Sequence, residues 1–558
     1  MLILIALLFN FCFKWYRLLS YWKSRNISGP KPLPVYGNMF ERFYKPYARI
    51  QLDWCRKFGK IFGVYSGDKP VLIVADRVVI KQILVKDFHL FRNRGGGGSG
   101  GGPGSIHPIL SKSIFVARDD QWRQIRMIFS PTFTASKLRH MYGLMDRCSA
   151  DLIGHLDNSL LTTAGTETAD GTETVAALDL RQTMGSYTMD VIARCAFGIQ
   201  SDVYRSDNQL TSSANQTFAA IPVWRLILTA SLPKFWWKLV DRLVSLVARI
   251  VSIVSGGKGG QQQQPPLENV SHFFIQLSRD FISKRLNREV GAVGTDGQPL
   301  IFNDFLQLMI DSSTDNYSNG QLNNNSTRRL TENEILGQCY VFFIAGYDAL
   351  VSALAYCLHE LAVRPELQDR LYDEISGLFA DTDESTIDYN DLKRLEFMDA
   401  VLKETLRHYP PVINLEREAR QDVTLTDSTG SSSIVIAKGT QLEIPVYAIH
   451  HDRDYYPEPD LFEPNRFMST SGGGADGGQW PPIESYTYMP FGLGPRNCLG
   501  TRLAVQSAKL ALVKLVSRYR FSPVADTQWP PEFISGASRR FQLQADRLIV
   551  GIHKRVVF

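Results

Sequence analysis

The 558-residue sequence has seven cysteines and no C-x-x-C pair among them. Cys12, Cys55, Cys148, Cys195, Cys339, Cys357 and Cys498 are odd in number and widely spaced, so neither a disulfide framework nor a zinc site is expected. A folded domain in a reducing compartment follows. A strong excess of one charge is also missing: the net charge is +5, spread along the chain, and no nucleic-acid partner is indicated. No small-residue cleavage site follows the N-terminal apolar run, Met1 to Phe13, which only Asn10 interrupts. That run is itself short for a spanning helix. Trp15, Tyr16, Tyr21 and Trp22, mixed with Lys14 and Arg17, resemble an interfacial belt. We expect an uncleaved anchor over residues 1–25 that meets membrane lipid, with its basic flank in the cytoplasm. The shortness equally suits a monotopic helix or a truncated start.

What the chain does have is apolar mass: 44% hydrophobic and 11% aromatic residues can build a large core. Gly29-Pro30-Lys31-Pro32-Leu33-Pro34 cannot continue a helix and gives a semi-rigid extended spacer. Alternation at 61–65 and 70–74 reads as a hairpin. Phe541–Gln544 and Leu548–Ile552 read as paired strands. Four low-complexity tracts (95–104, 256–266, 316–326 and 471–478) look like loop insertions without readable chemistry. Between 224 and 254, Trp224, Trp236, Trp237, Lys234 and Lys238 lead into an apolar stretch. A core helix is one reading of it, and a surface dipping into a bilayer is the other.

The most informative stretch is Phe491-Gly492-Leu493-Gly494-Pro495-Arg496-Asn497-Cys498-Leu499-Gly500, set just before an apolar helix. A thiol at a helix N-terminus, with a cation two residues away, is biased towards thiolate. Thiolate is the ligand that pushes electron density onto a haem iron and favours O–O cleavage. Phe491 can pack beside the sulfur, Gly494 permits a sharp turn, and Arg496 can pair with a haem propionate. Backbone N–H groups after Cys498 can tune the sulfur.

This stretch resembles the haem-binding signature of the cytochrome P450 family, F-x-x-G-x-R-x-C-x-G, at every fixed position. With residue frequencies of a few per cent each, a chance match in such a chain is roughly a one-in-ten-thousand event. Other segments follow in the family's order. Trp122 and Arg126 lie at i, i+4 on one helix face, followed by Phe129-Ser130-Pro131-Thr132-Phe133. The resemblance assigns both to a haem propionate, with Arg94 and Arg417 as further partners. A capping box, Thr331 and Glu334, opens a long helix carrying Ala345-Gly346-Tyr347-Asp348-Ala349. It resembles the family's A/G-G-x-D/E-T: Ala345 and Gly346 would open a dioxygen groove, and Asp348 would relay protons. The threonine position holds Ala349, with no hydroxyl. Glu404 and Arg407 read alone as an exposed pair of small worth. The resemblance instead locks them to Arg466, bracing the cysteine loop, and places Val412 to Leu415 at the substrate pocket.

The resemblance implies a mainly α cytochrome P450 fold with small β-sheets, one large haem-enclosing domain over 26–558. Length alone would suggest about three or four domains. It further implies haem b, an NADPH-dependent flavoprotein reductase on the basic proximal side, and residence on the endoplasmic reticulum membrane with a cytoplasmic catalytic domain. The likeness is to the branch of microsomal drug and steroid hydroxylases and thromboxane synthase. The apolar or neutral pocket residues suggest a lipophilic small-molecule substrate. Reductase-dependent monooxygenation is the leading function. A lipid peroxide isomerase or dehydratase, able to dispense with the hydroxyl missing at Ala349, is the alternative. A non-catalytic haem sensor would have no need of an anchor.

Overall fold

The helix Glu332–Ala362 runs 31 residues through the middle of the protein and is buried over most of its surface. Its sequence is rich in Leu, Ala and Phe, and its first turn is fixed by the capping box. The Thr331 hydroxyl accepts from the Glu334 N–H at 3.4 Å, and the Glu334 carboxylate accepts from the Thr331 N–H at 3.0 Å. It is also the one helix among the described residues apolar and long enough to cross a membrane, and burial in the core accounts for that composition. The computed structural model describes residues 13, 15–16, 19–34, 36–95, 108–163, 176–199, 203–204, 209–217, 267–288, 304–311, 330–379, 387–430, 433–468, 480–535, 542–545 and 547–555. The apolar run up to Cys12, the patch at 224–254, nearly all of the four low-complexity tracts and the turn at 538–541 lie outside them.

Helices Leu180–Phe197, Leu267–Arg288 and Thr501–Arg518 pack around the central helix, and Ala135–Thr163 lies against two of these. One large apolar cluster joins them, and a second, smaller cluster lies under the main sheet. That sheet has four strands. Ile61–Ser66 and Lys69–Val74 form the expected antiparallel hairpin, closed through Gly67 at φ 63°. Lys69–Val74 then runs parallel to Gln441–Pro445, which pairs antiparallel with Asn414–Glu418.

One expectation from sequence needs correcting. The C-terminal strand, Ile549–Lys554, pairs with Tyr519–Ser522 and Ala176–Asp179 and not with the segment just before it. Gln542 and Ala545 instead bridge to Val412 and Phe533. Between them, the Gln544 side chain donates to Asp348 of the central helix, a contact local alternation cannot reveal. The expected small β-sheets are present: three among the described residues, the two smaller ones antiparallel.

Candidate haem site

The cysteine loop is shaped by its glycines before any ligand is considered. Gly494 sits at φ +72°, and a Cβ there would lie 1.9 Å from the Leu84 carbonyl oxygen. Both backbone conformation and space therefore demand glycine. The loop closes through the Cys498 N–H, which donates to the Phe491 carbonyl at 2.8 Å. The Thr501 hydroxyl donates to the Cys498 carbonyl at 3.1 Å, tying the loop to the helix that begins at Thr501.

Cys498 is accessible although protein surrounds it on most sides. Burial pushes its thiol above the ordinary value, outweighing the Gly500 N–H, the Thr501 side chain, Arg126 and Arg94, which all favour the anion. The local groups act in the direction the sequence suggests, and burial opposes them. A bound metal cation favours the deprotonated thiol further, by displacing its proton.

Within the buried central helix, Phe342, Ala345, Gly346 and Ala349 keep accessible surface. Their i, i+3, i+4, i+7 spacing makes them one stripe, with the small residues at its centre. Asp348 points elsewhere. Its carboxylate is buried and accepts from Arg181 Nη2 at 3.1 Å and Gln544 Nε2 at 2.7 Å. The proton-relay role that the family resemblance gives Asp348 must therefore begin from a clamped carboxylate. Neither Arg181 nor Gln544 carries a sequence signal, since their positions only meet Asp348 through the fold.

Arginines converge beside the loop. Arg496 Nη2 donates to the Ala117 carbonyl at 2.7 Å and Nε to that of Arg92 at 2.9 Å, while its guanidinium lies 4.4 Å from the Trp122 ring centroid. Arg126 donates to the Asn497 carbonyl at 2.7 Å and side-chain oxygen at 2.6 Å, so it holds the loop directly. Arg94 lies over Phe115 at 4.1 Å. Arg417 is buried, and its Nε has no hydrogen-bond partner among the described residues. Burial and mutual repulsion depress these cations: Arg496 to about 8, Arg417 to about 9 and, with burial dominant, Arg94 to about 10. A set of crowded cations with an orphaned buried N–H is short of anions, and two propionates fit it.

The loop is braced from behind. Arg407 and Glu404 are both fully buried, which overturns the exposed reading of E-x-x-R. Arg407 Nε and Nη2 donate to the two Glu404 oxygens at 2.7 and 2.8 Å, and Nη1 donates to the His450 and Pro459 carbonyls. Arg466 Nε stands 3.5 Å from Glu404 Oε1, an ion-pair contact without hydrogen-bond geometry. His450 carries the brace onward: Nδ1 faces the Arg407 carbonyl at 3.2 Å, and Nε2 accepts from the Met489 N–H at 3.0 Å, two residues before Phe491. That pattern requires the neutral ring with its proton on Nδ1.

Acid should therefore loosen the fold. Burial and Arg407 lower His450 to about 3, and burial lowers His359 to about 4. His408 and His451, packed together beside Arg407, are also held well below 6.5. All four are neutral when folded and take up protons in the unfolded chain near 6.5, so stability falls as pH drops below that value. Each contributes up to about 1.4 kcal/mol per pH unit. Urea midpoints at pH 7 and pH 5 would measure this, and equal midpoints would refute it.

An accessible thiol on a glycine loop, an accessible small-residue stripe and a cation cluster short of anions together form the candidate haem site. The sequence profile described as Cytochrome P450 matches residues 27–545. The chain is 31% identical to "Cytochrome P450 3A31" of Mesocricetus auratus over 535 residues, covering 95% of this chain and 91% of that relative. It is 31% identical to "Cytochrome P450 3A5" of Homo sapiens over 512 residues, covering 91% and 88%. The chain belongs to the cytochrome P450 family of haem-containing monooxygenases and is an oxidoreductase.

Proposed function

We propose that this protein inserts one oxygen atom of O2 into a lipophilic small molecule, using electrons from NADPH delivered by a flavoprotein reductase. Haem b is the group proposed for the site, since the chain has no C-x-x-C pair to attach a haem covalently. When bound, it would supply the dioxygen chemistry, and the Cys498 thiolate would hold its iron. Arg94, Arg126, Arg417 and Arg496, with Trp122, would hold its propionates, and Phe491 would shield the sulfur. The single observation that carries the reading is Cys498, accessible on its loop within a chain whose core helix keeps an accessible stripe.

The chain's own residues have clear tasks. Ala345 and Gly346 leave room beside the helix backbone, and apolar neighbours such as Phe342 exclude water from the stripe. Arg181 and Gln544 hold the Asp348 carboxylate turned aside, so proton delivery requires that one of them let go. On the proximal side, Arg123 and Met127 are exposed on the Trp122 helix and Arg502 on the helix after Cys498, a basic and apolar mixture suited to an acidic flavoprotein. In the proline spacer Leu33 is exposed, and after it so are Phe40 and Tyr44, with Tyr36 and Phe43 against Phe40. This aromatic fringe supports placement against the endoplasmic reticulum membrane with the catalytic domain cytoplasmic.

Ala349 supplies the test. The residue stands on the accessible stripe, one position from the clamped Asp348, and brings no hydroxyl. The wild-type enzyme should leak reducing equivalents as hydrogen peroxide. Ala349→Thr should raise the fraction of NADPH converted to oxidised product about 2- to 5-fold, far below the 10²–10⁴ of a full general acid because Asp348 already serves. Asp348→Ala should lower turnover. Fast turnover of a lipid hydroperoxide without reductase, unchanged in both variants, would replace this reading with peroxide isomerisation.

A further inference from the structure

Three chain segments meet where the arginines converge, and one buried residue joins them all. Asn93 is 3% exposed, and its polar groups are engaged. Its Oδ1 accepts from the Asp119 N–H at 2.8 Å, and its Nδ2 donates to Asp119 Oδ1 at 3.0 Å, a reciprocal pair. Its carbonyl accepts from the Glu418 N–H at 3.0 Å. The three segments it joins each carry one of the cations: Arg94 is next in sequence to Asn93, Arg126 stands on the helix that Asp119 opens, and Arg417 precedes Glu418. Arg496 reaches two of the same segments through the Arg92 and Ala117 carbonyls.

Asp119 itself adopts φ +47°, the left-handed region that non-glycine residues seldom enter. Asp tolerates it better than most, and here the conformation turns its N–H and its carboxylate towards the same Asn93 side chain. Arg420 Nη2 also lies 3.2 Å from Asp119 Oδ1, and Arg92–Asp120 and Arg118–Glu418 pairs complete the rim. Those rim pairs are solvent-exposed on at least one side and are worth little each. The clasp sets a buried amide on a half-exposed carboxylate, and it is the part that joins the three segments carrying the arginines.

We propose that the Asn93–Asp119 clasp is a positioning device that sets the spacing of Arg94, Arg126 and Arg417 against the cofactor's carboxylates. Neither residue touches the cofactor. The clasp works by holding three backbones in register while the like-charged guanidiniums repel one another. The inference rests on the assignment of those arginines to haem propionates made above.

The experiment compares full-length apoprotein titrated with haem and with haem dimethyl ester, which lacks the negative charges. Wild type should prefer haem. Asn93→Ala should weaken haem binding about 10- to 100-fold, the range for an outer partner of a bound group, and diester binding by less than about 3-fold, on the same principle that the lost register matters only to the charges. Asp119→Asn keeps a side-chain oxygen and the tolerance for positive φ, and should behave nearly as wild type. If Asn93→Ala does not fold, Asp119→Ala at the exposed end of the clasp makes the same comparison. Arg417→Ala calibrates the propionate assignment. Selective loss in Arg417→Ala without it in the clasp variants overturns the clasp alone. Equal loss of both ligands in the clasp variants also overturns it, leaving a scaffold role only. No selective loss in any variant overturns the propionate reading and the clasp with it.

Discussion

Cys498→Ala is expected to abolish the thiolate-type Soret shift of the reduced, CO-bound protein and to lower substrate oxidation by more than about a hundredfold, beyond the usual cost of an outer-shell change. No other described cysteine can substitute. Cys148, Cys195, Cys339 and Cys357 are buried in the helical core, and burial beside Asp452 pushes the Cys55 thiol up to about 12. The loop itself should survive, because the bond from residue 498 to the Phe491 carbonyl is made by the backbone. Circular dichroism should therefore match wild type while the spectrum does not. A variant that keeps the shift would remove Cys498 from the iron.

Glu404→Ala or Arg407→Ala should each cost about 3–5 kcal/mol, because either change strands the remaining charge in the core. Arg407 loses its two bonds to Glu404 in the first case, and Arg466 and the Glu463 N–H also lose an anion that stands 3.5 and 2.8 Å away. In the second, the His450 and Pro459 carbonyls lose their donors along with Glu404. Replacing both together by apolar residues of similar size, Glu404→Leu with Arg407→Met, should cost less than the two single changes summed, by about 1–3 kcal/mol of coupling. Denaturant midpoints measure the energies, and the yield of haem-loaded protein shows whether the loop follows. Strict additivity would mean the pair does not act as a unit.

The same two residues show where reading a sequence stops. E-x-x-R at i, i+3 predicts that Glu404 and Arg407 share a face, and they do. Nothing at that spacing says whether the face is wet or dry, and the value of the pair changes from tenths of a kcal/mol to several on that point alone. Cys498 is similar. Its turn, its flanking arginine and its following helix are legible, yet the burial that opposes the local charges is a property of the whole fold. Asn93 was adjacent to a residue already singled out and still gave no signal, since its partner lies 26 positions away.

By itself the sequence determined the elements and their chemistry: the capped central helix, the hairpin at 61–74, the glycine-bound cysteine loop and the kinds of side chain beside it. These depend on contacts within a few residues, where periodicity, caps and turn residues act directly. The tertiary structure alone decided which strands pair across distant segments, that Asp348 is clamped by Arg181 and Gln544, and that four arginines crowd one place. Those outcomes depend on desolvation and on charges brought together from remote parts of the chain, and neither quantity exists until the core closes around them.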